Sequence, residues 1–273
     1  MTCPSLLVYV DEGDESDARV ELACDLAVSF DALLIGLSAS LPQPPMLAPI
    51  AGMGEVLAVY RETAESEVER AGARFREITD ARSVRAEWRA GLDSPGRMLA
   101  GDARAADLII IAQKARGAPF RAPDPGDVIL TAGRPVLVVP PVRARSPVGE
   151  PVLVAWKDTR ESRQAVAEAL PLLRMASRVD VIEVAAAPDM ALAGTRTADV
   201  CQFLKRHQIE ATPTPLADNG DPTTVRILAE ASRRKAGLVI AGGYGHGRIR
   251  QWMLGGVTRS LLNHSDVCVL MAH

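Results

Sequence analysis

The sequence predicts an α/β protein of two tandem domains, each with a five-stranded parallel sheet flanked by helices. Three observations lead to this fold class. Short continuous runs of Val, Ile and Leu recur along the 273 residues, and such runs are typical of strands buried on both faces of a parallel sheet. Segments with apolar residues at helical spacing separate the runs. The same alternation then occurs a second time.

Apolar runs supply the central strands, four in each half of the chain. In chain order they cover 6–10, 33–37, 108–112, 136–139, 152–156, 179–184, 238–242 and 267–272. Two more polar segments, 83–89 and 209–215, are predicted as edge strands, since the first alternates polar with apolar residues and the second carries prolines. Helical spacing is clearest at 16–30 and 161–177.

The two halves align as an internal duplication. Glu15-Ser16 in the first copy corresponds to Glu161-Ser162 in the second, and the fourth strands also correspond, with a smaller offset in residue number between the copies. A proline-rich insertion at 41–54 in the first copy explains why the offset decreases. We therefore predict a tandem duplication.

A segment rich in proline, 140–151, is interpreted as the linker between the copies. The expected domains are 1–141 and 151–273. Each is large enough to bury a core of its own.

Composition restricts the function classes. With 31 Lys and Arg against 34 Asp and Glu, the chain lacks the basic excess of proteins that bind nucleic acid. The four cysteines form no CxxC pair, which indicates reduced thiols and a cytoplasmic protein. The amino terminus lacks the basic region of a signal peptide, and no apolar run reaches the roughly 18 residues of a membrane span. We expect neither nucleic acid nor membrane as a partner.

Topology gives the expected position of a site. Right-handed crossovers arrange five parallel strands in the order 3-2-1-4-5, and ligands of such Rossmann-like sheets bind between strands 1 and 4, at their carboxyl ends. In the second half the turn after strand 4 begins GGYGHG, over 242–247, and leads to a helix expected over 249–263. Glycine amides and a helix amino terminus favour an anion such as phosphate. The glycines alone fit a strand-to-helix turn without a ligand equally well. The side chain of Tyr244 would block the cavity if it pointed into it.

The same turn resembles the nucleotide-binding motif of the universal stress protein family. That motif is GxxG, nine residues, and then Gly followed by Ser or Thr; Gly242, Gly245 and Gly255 fit the spacing. The closing segment 248–273 resembles the last helix and strand of the family, and the resemblance extends over both halves. It implies the five-stranded fold, an internal pseudo-dimer, and binding of ATP or a related adenine nucleotide. No metal is implied beyond Mg²⁺ carried by the nucleotide.

Two positions depart from the family pattern. The Ser or Thr is replaced by Gly256, and Thr258 supplies the nearest hydroxyl. A lost hydrogen bond to a charged group weakens binding about tenfold to somewhat over a hundredfold. The acidic residue after strand 1 is Asp11 in the first copy, but the second has Lys157 followed by Asp158. Lysine cannot accept a hydrogen bond from an adenine amino group, so it either reaches toward phosphate or stays solvated.

The candidate nucleotide-binding residues follow from the turns after strands 1 and 4 of the second copy. They are Lys157, Asp158, Gly242, Gly243, Gly245, His246, Gly247, Arg248, Gly255, Gly256 and Thr258. His246 and Arg248 are placed to donate to phosphate, and a solvated position fits them as well. In the first copy the corresponding segment 113–133 is interrupted by prolines, so we expect a degenerate site with a short helix from Gly126.

Three functions stay open at this stage. The first is a stress-associated regulatory protein whose second domain binds ATP weakly, without strong catalytic activity. The second is a ligand-free tandem scaffold for contacts with other proteins or with a second copy. The third is a slow ATP-hydrolysing enzyme. The chain contains no GxSxG, HExxH or GxxxxGK[ST] motif, which makes an enzyme the least favoured of the three.

Overall fold

Strands and helices alternate in the first half of the chain, as the apolar runs predict. A computed structural model describes residues 3–42, 53–113, 122–141, 146–244 and 256–273. The elements of the first half are β1 (Ser5–Tyr9), α1 (Asp14–Phe30), β2 (Leu33–Ala39), α2 (Met53–Ala81), β3 (Ala86–Gly91), α3 (Pro95–Asp102), β4 (Leu108–Ala112), α4 (Pro125–Thr131) and β5 (Val136–Val139). Most of the insertion predicted at 41–54 lies outside the described residues.

The second half repeats this alternation. Its elements are β6 (Pro151–Ala155), α5 (Arg160–Glu168), α6 (Leu170–Leu173), β7 (Arg178–Ala185), α7 (Met190–Arg206), β8 (Ala211–Ala217), α8 (Thr223–Arg233), β9 (Leu238–Gly242), α9 (Gly256–His264) and β10 (Cys268–Ala272). The segment that precedes Gly256, where the last helix was expected to begin, is outside the described residues.

One helical segment differs from the sequence prediction. The helical spacing over 161–177 suggests a single helix, but the structure divides it into α5 and α6 and ends the helix at Leu173. Pro171 explains the division, since proline has no N–H to donate and its ring clashes with the carbonyl group four residues earlier. The helical pattern therefore extends beyond the helices that form.

The described strands form one sheet in the order β3-β2-β1-β4-β5-β10-β9-β6-β7-β8. Each half has the predicted order 3-2-1-4-5, and the polar strands β3 and β8 lie at the two edges as expected. The halves join where β5 pairs with β10 in antiparallel register, with Val138 opposite Val269, while the other pairings are parallel. The predicted fold class is confirmed.

Each face of the sheet carries an apolar core that contains residues from both halves. Successive strand residues point to opposite faces, so Leu6 and Val8 belong to one core while Leu7 and Tyr9 belong to the other. Because the central strands are covered on both sides, their sequences are continuous apolar runs. In the described part of the chain, no helix has the length and apolar character needed to cross a membrane.

Candidate functional site

A cavity of about 480 Å³ lies at the carboxyl ends of β6, β7 and β9 in the second half. The first turn of α9 and part of α8 form the opposite wall. β6 and β9 are neighbours in the sheet although they are strands 1 and 4 of their half, so the cavity lies at the point where the strand order reverses. Ligands of open α/β sheets bind at this position.

Two alanines keep the cavity open. Ala155, the last residue of β6, is paired with Ala241 of β9, and both residues line the cavity. Their short side chains leave the space that a larger residue at either position would occupy. The cavity therefore depends on the size of two strand residues as well as on the turn that follows β9.

At the corresponding positions the first half carries larger side chains. Tyr9 ends β1 as Ala155 ends β6, and Ile111 corresponds to Ala241 in the fourth strand. Tyr9 is 1% exposed and donates its hydroxyl hydrogen to the carbonyl oxygen of Ala39 at 3.0 Å. Burial, with the nearby charge of Asp11, raises the pKa of Tyr9, so its hydroxyl stays neutral. Tyr9 and the fully buried Ile111 thus occupy, in the first half, the positions that Ala155 and Ala241 occupy beside the cavity.

Arg19 of α1 also occupies the carboxyl end of β1. It is 1% exposed, and its Nε donates to the carbonyl oxygen of Tyr9 at 2.9 Å. Its Nη2 donates to Asp11 Oδ1 at 2.5 Å and to Ser16 Oγ at 3.2 Å. Asp11, the acidic residue that could meet a ligand in the first copy, is thus already paired with Arg19 of the same domain. Ala165 stands at the corresponding position of α5, so the second half carries no cation at this position.

Gly242 lets β9 approach the start of α5. Thr159 caps that helix by accepting a hydrogen bond from the backbone N–H of Ser162 at 3.3 Å. A Cβ added to Gly242 would lie 2.6 Å from the same backbone nitrogen, which is too close for any other residue to fit without a shift of the backbone. Gly242, Thr159 and Ser162 all line the cavity.

The structure brings together four of the predicted site residues. Lys157, Gly242, Gly256 and Thr258 line the cavity. Gly245, His246, Gly247, Arg248 and Gly255 lie outside the described residues.

Two predicted residues lie elsewhere. Asp158 forms an exposed ion pair with Arg163 and does not line the cavity. Gly243 faces the first half, because a Cβ at this position would lie 2.9 Å from Ile129 Cγ2. The conformation of the turn after each strand decides which of two neighbouring residues faces the cavity. The sequence does not reveal this conformation.

The cavity also contains charged residues that the sequence patterns do not predict as site residues. Glu183 of β7 is 6% exposed and accepts hydrogen bonds from Arg196 of α7, with the Nε to Oε2 distance at 3.1 Å. Asp189 also lines the cavity. Lys157 has no carboxylate within ion-pair distance in the described part of the chain, so it is a cation free to meet a ligand. A charged residue inside the apolar run of β7 was the available signal for Glu183.

Tyr244 does not fill the cavity. Its hydroxyl group packs against Gly126 of α4 in the first half, and its ring meets that of His273 edge-on at a centroid distance of 6.5 Å. Burial and the negative charges of Asp124 and Asp127 raise the pKa of Tyr244 to about 12. The side chain that could have closed the site is thus held between the two halves.

Comparisons with known proteins agree with this architecture. A crystal structure of a universal stress protein from Archaeoglobus fulgidus DSM 4304 is 16% identical, with a TM-score of 0.71 over 98% of this chain and 97% of that chain. A putative universal stress protein from Pseudomonas aeruginosa UCBPP-PA14 is 17% identical, with a TM-score of 0.60 over 98% of this chain and 92% of that chain. At these identities the likeness shows the fold alone. No curated protein matches the sequence.

The sequence model of one family matches both halves of the chain. It is described as the universal stress protein family, and it covers residues 4–140 and 150–273. Together with the two copies of the 3-2-1-4-5 sheet, the matches show that this chain belongs to the universal stress protein family as a tandem member.

Proposed function

We propose that the second half of this protein binds an adenine nucleotide, with ATP as the first candidate, in the cavity between β6, β7, β9 and α9. The binding serves a stress-associated regulatory role and does not feed strong catalytic activity. One observation carries the proposal: the second half is open at Ala155 and Ala241, where the first half is filled by Tyr9 and Ile111.

The cavity suits a nucleotide in size and chemistry. Its volume of about 480 Å³ falls within the range of small-molecule sites. Ile182, Val184 and Ile227 offer apolar walls that fit a planar base. The hydroxyl of Thr258, the first turn of α9 and the ammonium group of Lys157 offer hydrogen-bond donors and positive potential for phosphate.

We propose a single site per chain. In the first half Tyr9, Ile111 and Arg19 together occupy the space at the carboxyl ends of β1 and β4, and Asp11 is already paired. A nucleotide could enter there only by displacing a buried arginine from three hydrogen bonds, which is costly.

The charged groups of the cavity favour binding over turnover. Both oxygens of Glu183, the buried carboxylate, accept hydrogen bonds from Arg196, so this group is poorly placed to act as a general base. Any Mg²⁺ would be carried by the nucleotide phosphates.

Calorimetry of the full chain with MgATP tests the proposal. We expect saturable binding to the unmodified protein and its loss in Ala155→Tyr, because the tyrosine would fill the cavity as Tyr9 fills the first crevice. Ala90→Tyr is the matched control, since Ala90 is exposed on the edge strand β3 of the first half. Melting temperatures check that both variants fold.

The binding of MgATP by the unmodified protein and the two variants decides between the possible outcomes. Binding by Ala90→Tyr and by the unmodified protein, with none by a folded Ala155→Tyr, supports the site. No heat from the unmodified protein at millimolar ATP removes the nucleotide proposal, and equal binding by all three proteins removes this cavity as its place.

A further inference from the structure

Tyr244 connects the cavity of the second half with the first half. It is the second residue after β9 and adopts a φ of +59°, a left-handed conformation that residues other than glycine seldom adopt unless their surroundings hold them there. Its backbone nitrogen donates to Thr258 Oγ1 at 3.4 Å, and Thr258 is a buried residue of the cavity wall. A shift of Tyr244 would therefore reach the first turn of α9.

The Tyr244 side chain contacts residues of the first half and of the carboxyl terminus. A Cβ added to Gly126, in the first turn of α4, would lie 2.2 Å from the Tyr244 hydroxyl oxygen and 3.4 Å from Cζ. On another side the tyrosine ring meets His273, whose Nδ1 lies 3.1 Å from the carbonyl oxygen of Gly243. A free second domain would keep the contact with His273 but would lack the contact with Gly126.

We propose that α4 of the first half is a positioning element for the nucleotide site of the second half. It holds Tyr244, and Tyr244 holds Thr258 and the first turn of α9 at the cavity. The effect on ligand affinity rests on the proposed function, whereas the effect on α9 does not. The first half would thus help to position the site of the second half.

The chain contains a matched pair of glycines for the test. Gly126 follows Pro125 at the start of α4, and Gly96 follows Pro95 at the start of α3, so both occupy the same place in a helix. A Cβ on Gly96 would meet nothing within 4 Å. Gly126→Ala therefore adds the contact with Tyr244, while Gly96→Ala adds a methyl group in the same helical context without it.

The experiment compares Gly126→Ala, Gly96→Ala, Tyr244→Phe and the double variant Gly126→Ala/Tyr244→Phe in the full chain. We expect Gly126→Ala to raise the Kd for MgATP roughly fivefold or more, about the effect of one lost contact. The double variant should return to within about twofold of the unmodified protein, because without the hydroxyl the ring is at ordinary contact distance and the nearest remaining atom, Asp124 Oδ1 at 3.1 Å, has to move by only a few tenths of an ångström. Gly96→Ala alone should change the Kd by less than about twofold, and Tyr244→Phe alone gives the baseline for the double variant.

Backbone amide exchange of residues 260–262 in α9, measured without nucleotide, is the second readout. It should become faster in Gly126→Ala and be restored in the double variant. Tyr244→Ala, which removes the side chain without adding a contact, should also speed exchange, and it carries the test if Gly126→Ala fails to fold.

The two readouts distinguish the two proposals. If the unmodified protein takes up no ATP but exchange follows the expected pattern, nucleotide binding is wrong and the positioning of α9 stands. If the protein binds ATP and neither Kd nor exchange responds to Gly126→Ala or Tyr244→Ala, the positioning role is overturned while nucleotide binding stands.

Discussion

At the carboxyl end of β6, Lys157 stands where the first half has Asp11. The aspartate is neutralised by the buried Arg19, which also binds the backbone of the strand it follows. Lys157 has no acidic partner among the described residues and lines the cavity. The same position therefore stabilises the first domain and remains available to a ligand in the second.

Replacing Lys157 by alanine should weaken MgATP binding. A charge-assisted hydrogen bond from lysine to phosphate contributes about 1.5–3 kcal/mol, so we expect the Kd to rise about tenfold or more. The matched control is Lys205→Ala, since Lys205 is exposed in the last turn of α7, away from the cavity. Titration calorimetry measures both. Equal affinities of the two variants would contradict the role of Lys157.

The sequence predicts part of the site and misses the rest for identifiable reasons. Lys157 could be found because it follows a predicted strand at the switch point of the sheet, and Gly242 because it ends such a strand and fits the spacing of the glycine motif. Glu183 and Arg196 were missed, because their ion pair depends on how α7 packs on β7. The size difference between Tyr9 and Ala155 is present in the aligned runs LLVYV and VLVAW, so the open cavity could have been predicted from it.

Among the elements, the contact between β9 and α5 is the one that shapes the cavity floor. Gly242 allows it, because the strand backbone approaches the capped amino terminus of the helix. The glycine found by motif spacing therefore has a packing role in addition to any contact with a ligand.

Gly242→Ala should destabilise the protein. Its Cβ would lie 2.6 Å from the backbone nitrogen of Ser162, and overpacking of this kind costs about 1–3 kcal/mol. Gly54→Ala is the control, because Gly54 is exposed near the start of α2 and a Cβ there would meet nothing within 4 Å. Urea denaturation followed by circular dichroism measures both. Unchanged stability of Gly242→Ala would show that the contact is not tight in solution.

The strands were predicted better than the helices. Strand positions follow from continuous apolar runs, which burial on both faces of the sheet requires. Helix ends depend on single residues, as Pro171 shows by dividing the segment predicted over 161–177. Neither the apolar runs nor the helical spacing predicts the antiparallel pairing of β5 with β10. Both patterns describe a single copy, whereas this pairing joins the two copies.

For the whole molecule, that pairing determines where the two crevices lie. Because β5 and β10 run in opposite directions, the carboxyl ends of the strands lie on opposite sides of the sheet in the two halves. The cavity of the second half is therefore on one side, and Tyr9 and Ile111 are at the carboxyl ends of their strands on the other. The described residues thus show two equal frameworks with a cavity in the second, and a contact of Tyr244 with Gly126 joins the two halves.

The number of nucleotides bound per chain tests this account most directly. Native mass spectrometry of the full chain, titrated with MgATP, should show a single bound nucleotide at saturation, and the bound state should disappear in Ala155→Tyr. A chain that binds no nucleotide at millimolar ATP, or one that binds two with similar affinity, would contradict the account.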